Sequence, residues 1–141
     1  MEGNIGRSSR DRKIMSVVAQ GGKYACTEYE VIERFGACTL LALKLRTGRT
    51  HQIRVHCSSI HHPLVGDEAY GGLQPNISGG NSNSAAIRHH VTALLQAIPR
   101  QALHARTLGF THPVSGAWLE FAAELPADFA AALEVARAFT K

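Results

Sequence analysis

The spacing of apolar positions changes several times along the chain, and each change marks an element. From Tyr24 to Phe35, the residues Ala25, Thr27, Tyr29, Val31 and Phe35 alternate with Cys26, Glu28, Glu30 and Arg34. That is the period of a half-exposed strand. Gly36 turns the chain into Leu40-Leu41-Ala42-Leu43-Lys44-Leu45, which reads as a strand apolar on both faces and therefore buried. The pair predicts an antiparallel hairpin. Past Gly48 the period lengthens. Thr50 is placed to cap a helix, along which Ile53, Cys57 and Ile60 recur at i, i+4 and i+7 as a core-facing stripe.

Ahead of the hairpin, residues 1–13 are polar and basic and read as an arm or loop, followed by a short strand from Ile14 to Ala19. Behind the helix, His61-His62-Pro63 stops it, and the Gly, Ser and Asn content of residues 71–84 reads as a flexible loop. Ala85 to Ile98 predicts a helix with Ile87, Val91, Leu94, Leu95 and Ile98 on one side, ended by Pro99. Residues 101–112 and 117–125 predict two strands, the second with Leu119, Phe121 and Leu125 on one face and Glu120 and Glu124 on the other. Pro126 opens a final helix that packs through Phe129, Leu133, Ala136 and Phe139. The pattern is α+β: a mostly antiparallel sheet with flanking helices, in one domain spanning 1–141, without repeat or internal linker.

Charge adds a direction. Residues 1–56 carry ten Lys/Arg against five Asp/Glu, while residues 57–141 carry five against six. A basic half beside a neutral half suits a polyanion, or is an ordinary surface asymmetry. The three cysteines make no pairable framework, no secretory signal opens the chain, and no apolar run reaches the length of a membrane span; the expected location is the cytoplasm. The eight histidines do not predict a metal site. On a helix His51 and His56 point about 140° apart, and the pairs His61-His62 and His89-His90 face different ways.

The candidate chemistry gathers in the turn before the central helix. Arg46, Arg49 and Arg54 fall within nine residues on a turn leading into a helix N-terminus, a placement suited to phosphate; a solvated turn is the plain alternative. Arg54 lies about 100° from the centre of the apolar stripe. A guanidinium at the edge of a buried face needs an anionic partner, a carboxylate or a phosphate.

Thr47-Gly48-Arg49-Thr50-His51-Gln52-Ile53-Arg54-Val55-His56, then His62-Pro63-Leu64-Val65-Gly66-Asp67 and Tyr70-Gly71, resemble the C-terminal half of an RluA-type pseudouridine synthase. The blocks Gln101-Ala102-Leu103-His104-Ala105, Leu108-Gly109-Phe110-Thr111-His112-Pro113 and Pro126-Ala127-Asp128-Phe129 are similar to the same family in the same order. The likeness covers nearly the whole chain and is nearest the large-ribosomal-subunit branch. It implies the C-terminal portion of the catalytic fold, and isomerisation of uridine to pseudouridine in RNA, with one aspartate and no cofactor. It also implies site roles. Arg54 matches the basic residue that pairs with the catalytic aspartate, and Ile53 and Leu103 match positions near the uracil pocket, although ordinary core packing explains those two equally well. Arg46, Arg49, Thr50 and His51 are candidates for RNA contact, and His51 and Arg54, three apart, could share one phosphate.

The family's aspartate belongs to an Arg-Leu-Asp motif, which this chain lacks, as it lacks the segment bearing the family's active-site tyrosine. Asp11 sits in the basic arm, Asp67 in a block the resemblance assigns elsewhere, and Asp128 in the first turn of the last helix. The chain is therefore expected to be inactive alone, with the N-terminal half of the domain as its missing partner. Arg54 is then expected to be unpaired, so that Arg54→Met is neutral or stabilising. The leucine-rich strand is expected to promote association. A non-catalytic RNA-binding module is the alternative reading.

Overall fold

The computed structural model describes residues 1–73 and 84–139. Four strands, β1 (Glu2–Arg7), β2 (Met15–Val18), β3 (Lys23–Arg34) and β4 (Thr39–Leu45), form an antiparallel sheet in the order β2-β1-β3-β4. Helix α1 (Gln52–Ser59) and a single 3-10 turn (Glu68–Tyr70) follow. Then come α2 (Ser84–Ala97), an antiparallel ribbon of β5 (Thr107–Thr111) and β6 (Trp118–Ala122), and α3 (Ala127–Phe139). The expected α+β architecture is present, with every strand pairing antiparallel. Of the expected loop over 71–84, residues 74–83 lie outside the described residues, Gly71–Leu73 form a turn and Ser84 already begins α2.

The core divides in two. Where α1 crosses β1 and β3, Ile5, Ala25, Val55 and Tyr70 are buried together. At the far end of the β3–β4 hairpin, Phe35 joins Leu94 and Ile98 of the α2 segment and Ala132 and Ala136 of α3, with Phe129 and Leu133 packed alongside.

Four expectations need correction. The N-terminal stretch is not an arm from residue 1, because Glu2–Arg7 is a central strand paired on both sides. Its glycines misled the reading. A Cβ on Gly3 would lie 2.9 Å from Val17 Cγ1, and one on Gly6 would lie 3.3 Å from the Gly22 backbone. Both positions are small because neighbours approach closely, and Ile5 between them is 3% exposed. Ser8–Lys13 alone is loop, closed by the Ser8 hydroxyl accepting from the Arg10 and Asp11 amides.

Strand β4 is apolar on one face, not two. Leu45, Leu43 and Leu41 stand opposite Thr27, Tyr29 and Val31, while Lys44 and Ala42 stand opposite Glu28 and Glu30. Nor is it buried. It is the sheet's edge among the described residues, and Tyr29 and Leu45 are about half exposed. A bulge between Val31 and Glu33 ends this face, so that Cys38 and Leu40 turn toward α2 and α3.

The α1 stripe is rotated from its expected position. Gln52, Val55, His56 and Cys57 are buried, while Ile53 is half-buried and Ile60 exposed. Polar partners on β3 choose this face, as the site geometry shows. The last two strands are shorter than the spacing suggested. The ribbon keeps the expected alternation, with Leu108 and Phe110 opposite Phe121 and Leu119, and Trp118 lies over Gly109, which has no side chain to obstruct it.

Candidate functional site

The turn from Arg46 to His51 is clamped to the sheet by one buried amide. Gln52 is 3% exposed. Its Nε2 donates to the Cys26 carbonyl and to Thr27 Oγ1, each at 2.9 Å, and its Oε1 accepts from the Thr47 hydroxyl at 2.8 Å and the Arg49 amide at 3.0 Å. All four hydrogen-bonding positions of the amide are filled. Thr47 Oγ1 in turn accepts from the Cys26 amide. The glutamine therefore does the work expected of Thr50. The helix begins two residues after Thr50, and its N-cap is His51, which makes no side-chain cap bond.

His51 holds a left-handed backbone, φ 54° and ψ 24°, a conformation that costs a non-glycine residue on the order of 1 kcal/mol or more. Its ring is tied down, with Nδ1 3.0 Å from the Tyr70 hydroxyl. Arg54, one turn on, lies over the Tyr70 ring with Cζ 4.7 Å from the centroid. Its Nε and Nη2 each donate at 2.8 Å to the two carboxylate oxygens of Asp67, a bidentate fork. The carboxylate of Asp67 is fully buried and the Arg54 side chain 17% exposed. This pairing pushes the guanidinium further above its ordinary value, so it is a permanent cation.

Here the expectation for Arg54 fails in one respect. The guanidinium is not left without a carboxylate, because Asp67 meets it from the turn after Gly66. The sequence marks Asp67 and Tyr70 only as members of blocks that carry the family resemblance, with no site role for either. The usable signal was the demand for a buried anion near Arg54, together with an Asp in a Gly-initiated turn. An arginine fork has a second edge, however, and Nη1 is not used by Asp67. Arg54 lines a shallow cleft of about 470 Å³ together with Glu68, Arg100 and Gln101. Arg100 is itself forked onto Asp128, at 2.7 and 2.9 Å.

The other candidates are dispersed. Ile53 and Leu103 are half-buried and are not among the residues lining that cleft. Arg46 pairs through Nε with Glu28 at 2.8 Å, both about half exposed, and Arg49 donates through Nε to the Tyr24 carbonyl at 2.9 Å. Thr50 is exposed. No group of three or more His, Cys, Asp or Glu among the described residues is arranged to hold a metal, and no helix among them is long and apolar enough to cross a membrane.

Two histidines are buried for structural reasons. His56, 1% exposed, meets Thr27 Oγ1 through Nδ1 at 2.9 Å. His90, 5% exposed, stacks on Phe139 at 4.2 Å. Nε2 of each ring is buried without a hydrogen-bond partner. Burial lowers both below the ordinary value of 6.5. The unfolded chain therefore binds the proton more readily, and their contribution to stability is complete above about pH 6.5 and is lost as pH falls below it. Urea melts at pH 7.5 and 5.5 should show that loss, and His56→Gln should reduce it. Equal stability at the two pH values would contradict it.

The model for the RNA pseudouridylate synthase family matches residues 2–59, from β1 through α1, which includes the clamped turn and Arg54. A ribosomal large subunit pseudouridine synthase D from Vibrio parahaemolyticus is 47% identical over 137 residues, 97% of this chain. The chain is similar to RNA pseudouridylate synthases over nearly its whole length. A second relative of the same description, from Nitrosomonas europaea, is 49% identical over 133 residues. The chain spans 40% and 35% of the length of these two relatives. Among solved structures, human RNA pseudouridylate synthase domain containing 1 superposes with a TM-score of 0.60 at 30% identity, covering 89% of this chain and 47% of that one. The clamped turn and Arg54 lie within the stretch that matches the family model, and Asp67 lies beyond it.

Proposed function

We propose that this chain is the C-terminal portion of a pseudouridine synthase catalytic domain acting in the cytoplasm on large-subunit ribosomal RNA. It supplies the RNA-contacting turn and the basic partner of the reaction. The observation that carries the reading is the guanidinium of Arg54, held by a buried fork and an aromatic face with Nη1 left over. A guanidinium fixed in this way can accept a second carboxylate without reorganising. That carboxylate is the nucleophilic aspartate, which residues 1–141 do not provide. Asp67 is committed to Arg54, Asp128 to Arg100, and Asp11 accepts from the Lys13 amide in an exposed loop.

The reaction breaks the bond from N1 of uracil to C1′ of ribose and rejoins the base through C5, which loses its proton while N1 gains one. The uridine must first leave its stack, at a cost of a few kcal/mol. Contacts to the flanking phosphates help offset that cost, and Arg46, Arg49, Thr50 and His51 are assigned to them. Both arginines are held through Nε, and no bond of their Nη groups is part of that restraint. Ile53 and Leu103 are assigned to the wall of the uracil pocket.

The same observation keeps a second reading in play. Because Asp67 neutralises Arg54 within the chain, the site is stable without the nucleophile, as a non-catalytic RNA-binding module requires. RNA binding is common to both readings. Measured against unmodified large-subunit ribosomal RNA, log affinity should fall linearly with log salt. Arg46→Ala with Arg49→Ala should flatten the slope by two contacts, each worth about 0.7 to 0.9. An unchanged slope would remove these two arginines from the interface, and no binding at all would overturn both readings.

A further inference from the structure

Tyr70 touches three groups of the site, His51, Arg54 and Asp67. Its side chain is buried, and its hydroxyl oxygen lies 3.0 Å from the Met15 amide and 3.0 Å from His51 Nδ1. Its ring face carries the Arg54 guanidinium, and its own amide donates to Asp67 Oδ1, an oxygen of the carboxylate that forks Arg54. We propose that Tyr70 is the positioning residue of the site, presenting His51 and Arg54 together as donors to one phosphate of the RNA backbone. The proposal rests on the RNA-binding reading above.

The Met15 amide can only donate, so it occupies a lone pair of the phenolic oxygen. The single hydroxyl hydrogen remains for His51 Nδ1, and we assign it there. An imidazole accepting at Nδ1 carries its hydrogen on Nε2, at the far side of the ring. His51 is exposed, so Tyr70 turns its imidazole into a donor of fixed orientation. The left-handed backbone at His51 is consistent with this, since an unfavourable conformation persists only where the surroundings over-determine it. For Arg54 the ring supplies a floor and Asp67 a wall, and Nη1 carries two hydrogens, one for the aspartate of the reaction and one for the phosphate. Both donors are braced against one rigid side chain, which is the arrangement an oxyanion needs.

The test is a double-mutant cycle on the whole chain, with a labelled uridine-containing RNA hairpin as probe and anisotropy as readout. Tyr70→Phe keeps the ring beneath Arg54 and removes only the hydroxyl. It should weaken binding about fivefold, the size of one hydrogen bond. His51→Ala should do the same, and the double variant should bind no more weakly than either single one. Multiplicative losses in the double variant, or wild-type affinity in Tyr70→Phe, would overturn the proposal. A purely structural role for Tyr70 would not produce that dependence on His51.

A ring-nitrogen NMR spectrum supplies the independent arm. At neutral pH the wild-type His51 should show a protonated Nε2 and a bare Nδ1, and Tyr70→Phe should lose that single form. A hydrogen on Nδ1 in the wild type, or a spectrum unchanged by Tyr70→Phe, overturns the proposal. If the wild-type chain binds no RNA, the functional reading fails, and the nitrogen spectrum alone decides the role of Tyr70. If Tyr70→Phe does not fold, the wild-type spectrum and the His51→Ala affinity decide it.

Discussion

Arg54→Met is expected to destabilise the chain by about 3–5 kcal/mol, the usual cost of breaking a buried ion pair from one side. For a domain of this length that lowers the melting temperature by on the order of 10 °C. The size follows from what stays behind. The Asp67 carboxylate has no exposed surface, and it would lose both of its 2.8 Å bonds while keeping, among the described residues, only the Tyr70 amide at 3.3 Å. Asp67→Asn should cost less, because Arg54 is 17% exposed and can regain water. The double variant Arg54→Met, Asp67→Leu should recover much of the loss, since a buried pair replaced by apolar groups of similar size is often neutral. Thermal melts of the three variants decide the matter. A stable Arg54→Met chain would mean that the fork carries no stability, and would restore the opposite expectation, that of an unpaired guanidinium.

That opposite expectation shows where the sequence was legible and where it was not. The β3–β4 hairpin could be read because alternation over Tyr24–Phe35 is a local property and Gly36 sits at the turn between the strands. α2 and α3 could be read for the same reason, from their apolar spacing and from Pro99 and Pro126. Strand β1 was missed because its two glycines look like flexibility, when each is a place where another segment comes too close for a Cβ. The face of α1 was missed because a polar residue, Gln52, chooses it. Its amide finds four partners that no periodicity can reveal, two of them on a strand 25 and 26 residues earlier.

In the site, Arg54 could be singled out because its position at the edge of an apolar stripe poses a physical problem. The solution, Asp67, lies 13 residues away across a turn, and its backbone path depends on Gly66, which adopts φ 76°. A Cβ there would run into the Arg100 carbonyl. Spacing alone could not connect the two. The apolar face of Leu41, Leu43 and Leu45 with Tyr29 and Val31 was expected to be covered. Among the described residues it is covered only in part, with Leu41 and Leu43 half-buried and Tyr29, Val31 and Leu45 exposed, and such a face on an edge strand favours association.

Catalysis should show the largest contrast of all. Without the nucleophile, this chain incubated with unmodified large-subunit ribosomal RNA should convert no uridine. Joined to the preceding portion of the Vibrio parahaemolyticus relative, with the Arg-Leu-Asp segment expected there, the same 141 residues should convert it. Arg54→Lys in the joined protein keeps a cation but cannot fork onto Asp67 while offering a second edge. It should slow turnover by at least about a hundredfold, the scale of losing one preorganised charge contact in a reacting site. Mapping pseudouridine after incubation with the chain alone, the joined protein and its Arg54→Lys variant therefore tests the assignment directly. The prediction is none, full and nearly none. Turnover by the chain alone, or undiminished turnover by Arg54→Lys, would contradict the role given to Arg54.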